Sequence, residues 1–192
     1  LLVISNNHHR HSNFFSKIDQ ILSYLSPKII QTFSNSEIFN IFHINKRILL
    51  FFIKNNVFKL DENLMKSVED KKKFSKYFTE SDENHAFLKE KGENDSYVYQ
   101  LIRDDSIEEF IIYINQSNLP LTSTIKPSIY ETNSFIIDQN ITLLEYSVFF
   151  GSINIVKYLM NNGVKLTNSL WPFAIHSNNA EMIQLQNYYS KI

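Results

Sequence analysis

Apolar residues recur along this chain at the spacing of helix faces. From Asn13 to Leu25, Phe14, Ile18, Ile21, Leu22 and Leu25 stand at helical intervals, which predicts an amphipathic helix with one buried stripe. Pro27 is expected to end it, and a second helix can start there because proline is tolerated in a first turn. Ser34-Asn35-Ser36-Glu37 has the spacing of a capping box, with Ile38, Phe39 and Phe42 behind it, so another helix is expected from about Ser36. Ile48, Leu49, Phe51, Phe52 and Ile53 crowd the stretch from Asn45 to Asn55, predicting a helix buried on most sides. Shorter helices are expected over Glu62 to Ser67, Lys71 to Phe78 and Asp82 to Lys89. Nothing in residues 1–90 alternates with period two over a useful length, so this half reads as all helical.

Glu90-Lys91-Gly92-Glu93-Asn94-Asp95 is polar and contains glycine between two periodic segments, which marks a linker. Residues 1–92 are therefore expected to form a helical N-terminal domain, and 93–192 a second region. In the latter, Ser96 to Arg103 and Ser106 to Asn115 predict a helix pair, its second member opened by a capping box at Ser106-Ile107-Glu108-Glu109.

Two runs near the end of the chain superpose without a gap. They are T-L-L-E-Y-S-V-F-F-G-S-I-N-I-V-K-Y-L-M-N-N-G-V from Thr142 and S-L-W-P-F-A-I-H-S-N-N-A-E-M-I-Q-L from Ser169. Equivalent positions Ile155 and Met182 lie 27 apart, a period that signals stacked supersecondary units. The run around Phe110 mimics the second helix of these repeats; matched to Ile155 it lies 45 earlier, so the first repeat carries an insertion. Leu121 to Pro127 parallels Leu166 to Pro172, so residues 119–141 are an insert or a decayed repeat. Repeats are expected at about 93–118, 142–168 and 169–192.

Thr142 is the expected N-cap of a T-x-x-E capping box with Glu145. Ser147 and Ala174 occupy a small position where two helices approach, and Gly151 permits a tight turn, replaced in the last repeat by Asn178. Asn162-Gly163 is expected to end the second helix, and Pro172 is expected at a third helical position, where its missing N–H is not needed. Trp171 stands at a position expected to be buried.

This pattern resembles the ankyrin repeat, T-P-L-H-x-A-A-x-x-G-x-x-E-I-V-x-L-L-x-x-G-A, with Leu143 in place of Pro, Glu145 in place of His and Gln186 in place of the second Leu. Over Ser96 to Leu185 the chain is similar to the large ankyrin-repeat families of parasitic flagellate protists. The runs S-E-I-F-N-I-F and N-K-R-I-L-L-F-F extend the resemblance to Ser36 to Val57. It implies an all-α fold, in which a helical N-terminal domain of unknown function precedes a short ankyrin solenoid used for protein recognition, with no known catalytic residues.

Composition narrows the function classes. With 43% hydrophobic residues, 16 Phe and 10 Tyr, the chain is globular rather than disordered. The 19 basic and 20 acidic residues nearly cancel, which argues against nucleic acid or an anionic membrane as partner. The absence of Cys removes disulfides, thiolate nucleophiles and Cys-ligated zinc, and it fits a reducing compartment, so a cytoplasmic location is expected. Three glycines are too few for a glycine-rich phosphate cradle. No apolar run approaches the roughly 20 residues of a spanning helix. The chain opens at Leu1 and closes one short helix after a repeat motif, as an excised segment would.

Candidate chemistry is sparse. His8-His9-Arg10-His11 could ligate a metal through His8 and His11, but no carboxylate or Cys nearby completes a shell, and solvated imidazoles are the expected reading. Asp104-Asp105 with Glu108-Glu109 is expected to favour a helix start through the helix dipole. Lys71-Lys72-Lys73, balanced by Glu69, Asp70 and Glu80, is expected on a solvated face. No spacing of Ser, His and acid suggests a strained nucleophile turn. A noncatalytic protein-interaction module is therefore expected, with a protein partner and no cofactor, metal or small-molecule substrate. The alternative is a regulatory or effector protein with an activity in residues 1–92; a pocket of convergent polar groups within 1–90 would favour it.

Ankyrin stacks bind through hairpin tips and the exposed end of the first helix. Here those positions correspond to Tyr146, Phe149, Phe150, Phe173, His176 and Ser177. Two adjacent Phe on one helix are expected to leave one facing away from the core, which singles out Phe149 or Phe150 as the contact. The competing expectation is that these aromatics pack against the neighbouring repeat.

Overall fold

A computed structural model of the chain describes residues 14–66, 68, 71–79, 83–137 and 140–189, without the side chains of 71–73, 134, 168, 186, 188 and 189. The histidine tract at His8 to His11 lies outside the described residues, as do the side chains of Lys71 to Lys73. Among the described residues every regular element is helical, and an isolated antiparallel bridge joins Thr124 to Thr142, so the fold class is all-α. The chain divides into two compact units, Leu1–Asn94 with Pro127–Asp138, and Asp95–Lys126 with Gln139–Ile192.

The first unit contains α1 (Phe14–Thr32), α2 (Asn35–Phe42), α3 (Lys46–Lys54), α4 (Glu62–Lys66), α5 (Lys71–Thr79) and α6 (Glu83–Lys91). Its core joins Ile18 and Leu22 of α1 to Ile38, Phe39, Ile48, Leu49, Phe52 and Phe74, each under 5% exposed. The capping box ahead of α2 forms as its spacing predicts. Ser34 is the N-cap, its hydroxyl accepting from the Glu37 N–H at 3.3 Å while the Glu37 carboxylate accepts from the Ser34 N–H at 2.8 Å.

Pro27 does not end the first helix; α1 runs through it for 19 residues. An interior proline costs about 3 kcal/mol through a lost hydrogen bond and a ring clash. The apolar stripe is continuous across it, with Leu22 buried and Leu25 and Ile29 half-buried, and stopping at Pro27 would strip that packing. Arg47 also departs from the apolar expectation for α3, lying 8% exposed with its guanidinium paired to Asp19.

Residues 127–138 fold with the first unit instead of forming a repeat, and backbone polar groups tie them there. The buried Glu131 carboxylate accepts from the N–H groups of Asn94, Thr132 and Asn133 at 3.2, 3.0 and 2.8 Å. The Thr132 N–H and hydroxyl both donate to the Gly92 carbonyl at 3.0 Å. Gly92 has φ +64°, and a Cβ there would lie 2.7 Å from the Thr132 hydroxyl, so glycine is required on both counts. Lys46 donates to the Ile129 carbonyl at 3.3 Å, and Tyr130 shares a short hydrogen bond with Nδ1 of His85. Beside Tyr130 lies Tyr77, fully buried, with the Lys46 and Lys89 ammonium groups 5.8 and 5.4 Å from its ring centroid. The Tyr77 hydroxyl has no hydrogen-bond partner, and burial pushes its phenol well above the ordinary value.

Among its described residues the second unit has three helix hairpins. They are α7 (Tyr97–Arg103) with α8 (Ile107–Ser117), α9 (Leu143–Phe150) with α10 (Ile153–Asn161), and α11 (Trp171–His176) with α12 (Ala180–Tyr189). α9 packs against α7 on one side and α11 on the other, and α10 packs against α8. One turn recurs between the helices of every hairpin. Asp105, Gly151 and Asn178 have φ of 51°, 69° and 49°. Their N–H groups donate to the carbonyls of Ile102, Val148 and Ile175 at 3.0, 3.1 and 3.2 Å. These corners lie 46 and 27 residues apart, so Phe110 corresponds to Val156, both fully buried, and not to Ile155.

Three further details differ from expectation. Ser106 makes no capping hydrogen bond, because its ψ of 78° departs from the extended ψ of 161° and 164° at the working caps Ser34 and Thr142. Pro172 stands second in α11, not third. Trp171 is half-exposed, whereas Leu170 beside it is 1% exposed, and the equivalent pair Leu143 and Leu144 is buried. Two consecutive apolar residues at a helix start cannot both take the innermost direction when the last hairpin has a neighbour on one side.

Two stability measurements follow from this packing. Replacing Tyr77 with Phe removes a buried, unpartnered hydroxyl and should stabilise the protein by about 1 kcal/mol in urea denaturation. With the folded phenol raised, the unfolded chain loses its proton first above pH 10.0, so the wild type should lose stability there and Tyr77→Phe should lose less. Leu170→Ala should cost about 2–5 kcal/mol and Trp171→Ala less; the reverse order would place the indole at the core.

Candidate functional site

The expected contact residues cluster on α9 and α11, and local chemistry positions both. Thr142 caps α9: its hydroxyl accepts from the Glu145 N–H at 3.2 Å, and the Glu145 carboxylate accepts from the Thr142 N–H at 2.8 Å. Gly151 ends the helix with positive φ. Between these limits α9 is the middle helix of the stack, with α7, α10 and α11 around it.

That location puts most of the predicted surface inside. Tyr146, Phe149, Phe150 and Phe173 are 0%, 1%, 8% and 5% exposed. The Tyr146 hydroxyl accepts from Nη1 of buried Arg103 at 2.8 Å, and its ring lies 5.5 Å from Tyr99 and 4.6 Å from Phe150. Phe149 sits 5.0 Å from the Phe150 ring and stacks on His176 at 5.6 Å. The expectation that one of two adjacent phenylalanines must face away is overturned, because a helix with neighbours on three sides has interior directions for both. His176 and Ser177 are half-buried, and the Ser177 hydroxyl works in the turn, donating to the Ala174 carbonyl at 2.6 Å and accepting from the Asn179 N–H at 3.2 Å.

The exposed apolar positions of the stack are different residues. Ile175 is 65% exposed and Ile183 is 37% exposed. In the preceding hairpins the equivalent positions are Ile102 and Phe110, then Val148 and Val156, all at most 1% exposed. The third hairpin thus presents to solvent the positions that the first two bury. The signal was present in the repeat alignment, since Val148 and Ile175 superpose as apolar residues. It was outweighed there by the larger aromatics of α9.

The acidic cluster at the first turn serves more than its own helix. The Asp105 carboxylate accepts from the N–H of Asn154 at 3.1 Å, its side-chain amide at 3.0 Å and the N–H of Ile155 at 3.0 Å, capping α10 of the next hairpin. Ser152 likewise donates its hydroxyl to the Ile102 carbonyl across the same junction.

The first unit carries a second candidate, a groove of about 580 Å³ walled by α1, α3 and α6. Asp19 from α1, Arg47 and Lys54 from α3, and Lys89 and Glu90 from α6 bring charge to it, with Phe15, Leu50 and Phe51 as apolar wall. Arg47 Nη1 and Nη2 donate to the two Asp19 oxygens at 2.9 and 2.8 Å, and the guanidinium carbon stands 4.0 Å from the Phe15 ring centroid. Hydrophobic periodicity alone missed this groove, because its polar members lie on helix faces that read as solvated.

No group of three His, Asp or Glu among the described residues is placed to hold a metal ion, and none of the described helices is long and apolar enough to cross a membrane. No family model matches the chain, and no curated protein or solved structure is similar to it at a significant level.

The burial pattern makes a direct comparison possible. Phe149→Ser should destabilise by about 3–5 kcal/mol, as a large buried aromatic does, whereas Ile175→Ser should stay within about 0.5 kcal/mol of wild type. Thermal unfolding followed by circular dichroism reads both, and equal stability of the two variants would contradict the central placement of α9.

Proposed function

We propose that this chain is a noncatalytic protein-recognition module, a scaffold or adaptor whose second unit is a short, degenerate ankyrin-type stack. The observation that carries this reading is the recurrence of one left-handed corner, with one hydrogen bond, in three consecutive hairpins at Asp105, Gly151 and Asn178. Stacked hairpins of this kind form extended surfaces suited to protein partners. The contact surface is the open face of the third hairpin, centred on Ile175 and Ile183, with half-exposed His176 and Ser177 at its edge. Of the buried aromatics, Phe149 stacks on His176 at the edge of that face.

A second reading, an activity carried by the N-terminal unit, is favoured by the charged groove on α1, α3 and α6, since purely apolar packing there would have left it no site. The recognition reading is tested with Ile175→Asp combined with Ile183→Asp. These side chains are exposed, so helix content should be unchanged. Proteins enriched by the wild type from a lysate of the source cells should fall about 30-fold in capture, the effect of losing a hot spot worth about 2 kcal/mol. Undiminished capture by the folded double variant would remove this face as the contact surface.

A further inference from the structure

Arg47 has more hydrogen-bonding capacity than the protein uses. A guanidinium carries five N–H donors. Asp19 takes one from each Nη atom, from the end of the fork. This leaves the side edge, made of Nε–H and the neighbouring Nη–H, which has the bidentate geometry that suits a second carboxylate. Nε is buried and has no partner. Leaving a charged donor in that condition is costly, so a buried unsatisfied guanidinium nitrogen calls for an acceptor.

The surroundings select the acceptor's charge and shape. The unused edge of the guanidinium is a cationic, bidentate donor, and the exposed Lys54 lines the same groove, so the acceptor it suits is an anion with two oxygens. Phe15 covers one face of the guanidinium and, with Leu50 and Phe51, gives the groove an apolar wall. We propose that this groove binds a monocarboxylate borne on an apolar body, whose two oxygens take the Nε–H and adjacent Nη–H of Arg47 while the body lies against Phe15, Leu50 and Phe51. The Asp19 pair holds the guanidinium plane in place, so little is lost in orienting it. Nε is buried beside the groove, so binding requires the side chains around it to shift; the groove residues Gln20 and Glu90 are exposed. This site lies wholly within the first unit, and it stands or falls separately from recognition by the third hairpin.

The test is an NMR titration of the whole chain with 4-phenylbutyrate, following the Arg47 Nε–Hε resonance, with 4-phenylbutyramide as the uncharged control. A saturable shift of that resonance is expected, with affinity for the amide weaker by about tenfold or more, the loss of one charge-assisted hydrogen bond. Ala86→Trp changes an exposed groove residue and should keep the fold while blocking the shift; Lys54→Glu, also exposed, should weaken binding several-fold. A peptide ending in a free Phe carboxylate is run beside its amidated form. Tighter binding of the free-acid peptide than of 4-phenylbutyrate assigns the carboxylate to a chain terminus, and the opposite order assigns it to a small molecule. No saturable shift with either carboxylate, an equal response to the amide, or binding undiminished by Ala86→Trp would overturn the proposal and leave Nε to an ordered water.

Discussion

Between the two helices of each hairpin in the second unit the backbone reverses within two or three residues, and the residue at the corner takes a positive φ that costs an ordinary side chain about 1 kcal/mol or more. Gly, Asn and Asp tolerate it best, and those three types occupy the corners. The corner also sets which faces of the paired helices meet, because its N–H closes on the carbonyl three residues back. Stacking depends on the same residues. The carboxylate of the first corner, Asp105, caps α10 of the next hairpin, and the amide of Asn179, one residue past the last corner, reaches back to the Gly151 carbonyl at 3.4 Å. Turn geometry and hairpin-to-hairpin contact are therefore one constraint, and loosening a corner would release both.

What could be read from the chain alone divides along the range of the interactions involved. The capping boxes at Ser34 and Thr142 and the turns at Gly151 and Asn178 were legible because each involves residues within a few positions of one another, whose types match the backbone need. The same reasoning failed at Ser106, where the residues are right but the preceding left-handed corner changes ψ. Pro27 misled because its local penalty is smaller than the packing of a stripe that runs on through Ile29. The attachment of residues 127–138 to the first unit was not legible at all. It rests on Glu131, Thr132 and Tyr130 meeting Asn94, Gly92 and His85, pairs separated by 37 to 45 residues with no local pattern to announce them.

Polar burial in the first unit follows a consistent logic. Glu131 is surrounded by backbone N–H groups, Lys46 and Lys89 lie over the Tyr77 ring, and Arg47 is clasped by Asp19 and covered by Phe15. Burying a charge is costly unless partners replace its water, and these arrangements supply them. Among the described residues, the atoms that break the rule are Arg47 Nε and the Tyr77 hydroxyl. Their situations differ. Tyr77 is fully buried beside the Phe78 and Tyr130 rings, where an apolar hydrogen would serve as well as its hydroxyl, whereas Arg47 lines an open groove with further charges beside it.

Exposure in the second unit is governed by position in the stack and not by residue type. Phe149 and Phe150 are adjacent aromatics on α9 and are hidden, because hairpins lie on both sides of them. Ile175 is a smaller residue and is open, although its counterparts Ile102 and Val148 are buried to at least 99%. An aromatic pair in a single repeat therefore carries little information about contact, since the next hairpin in the stack decides whether it is seen. Comparing each apolar position with its counterparts in neighbouring repeats is the sharper guide. On this stack that comparison picks out Ile175 and Ile183, exposed in the third hairpin where their counterparts in the first two are buried.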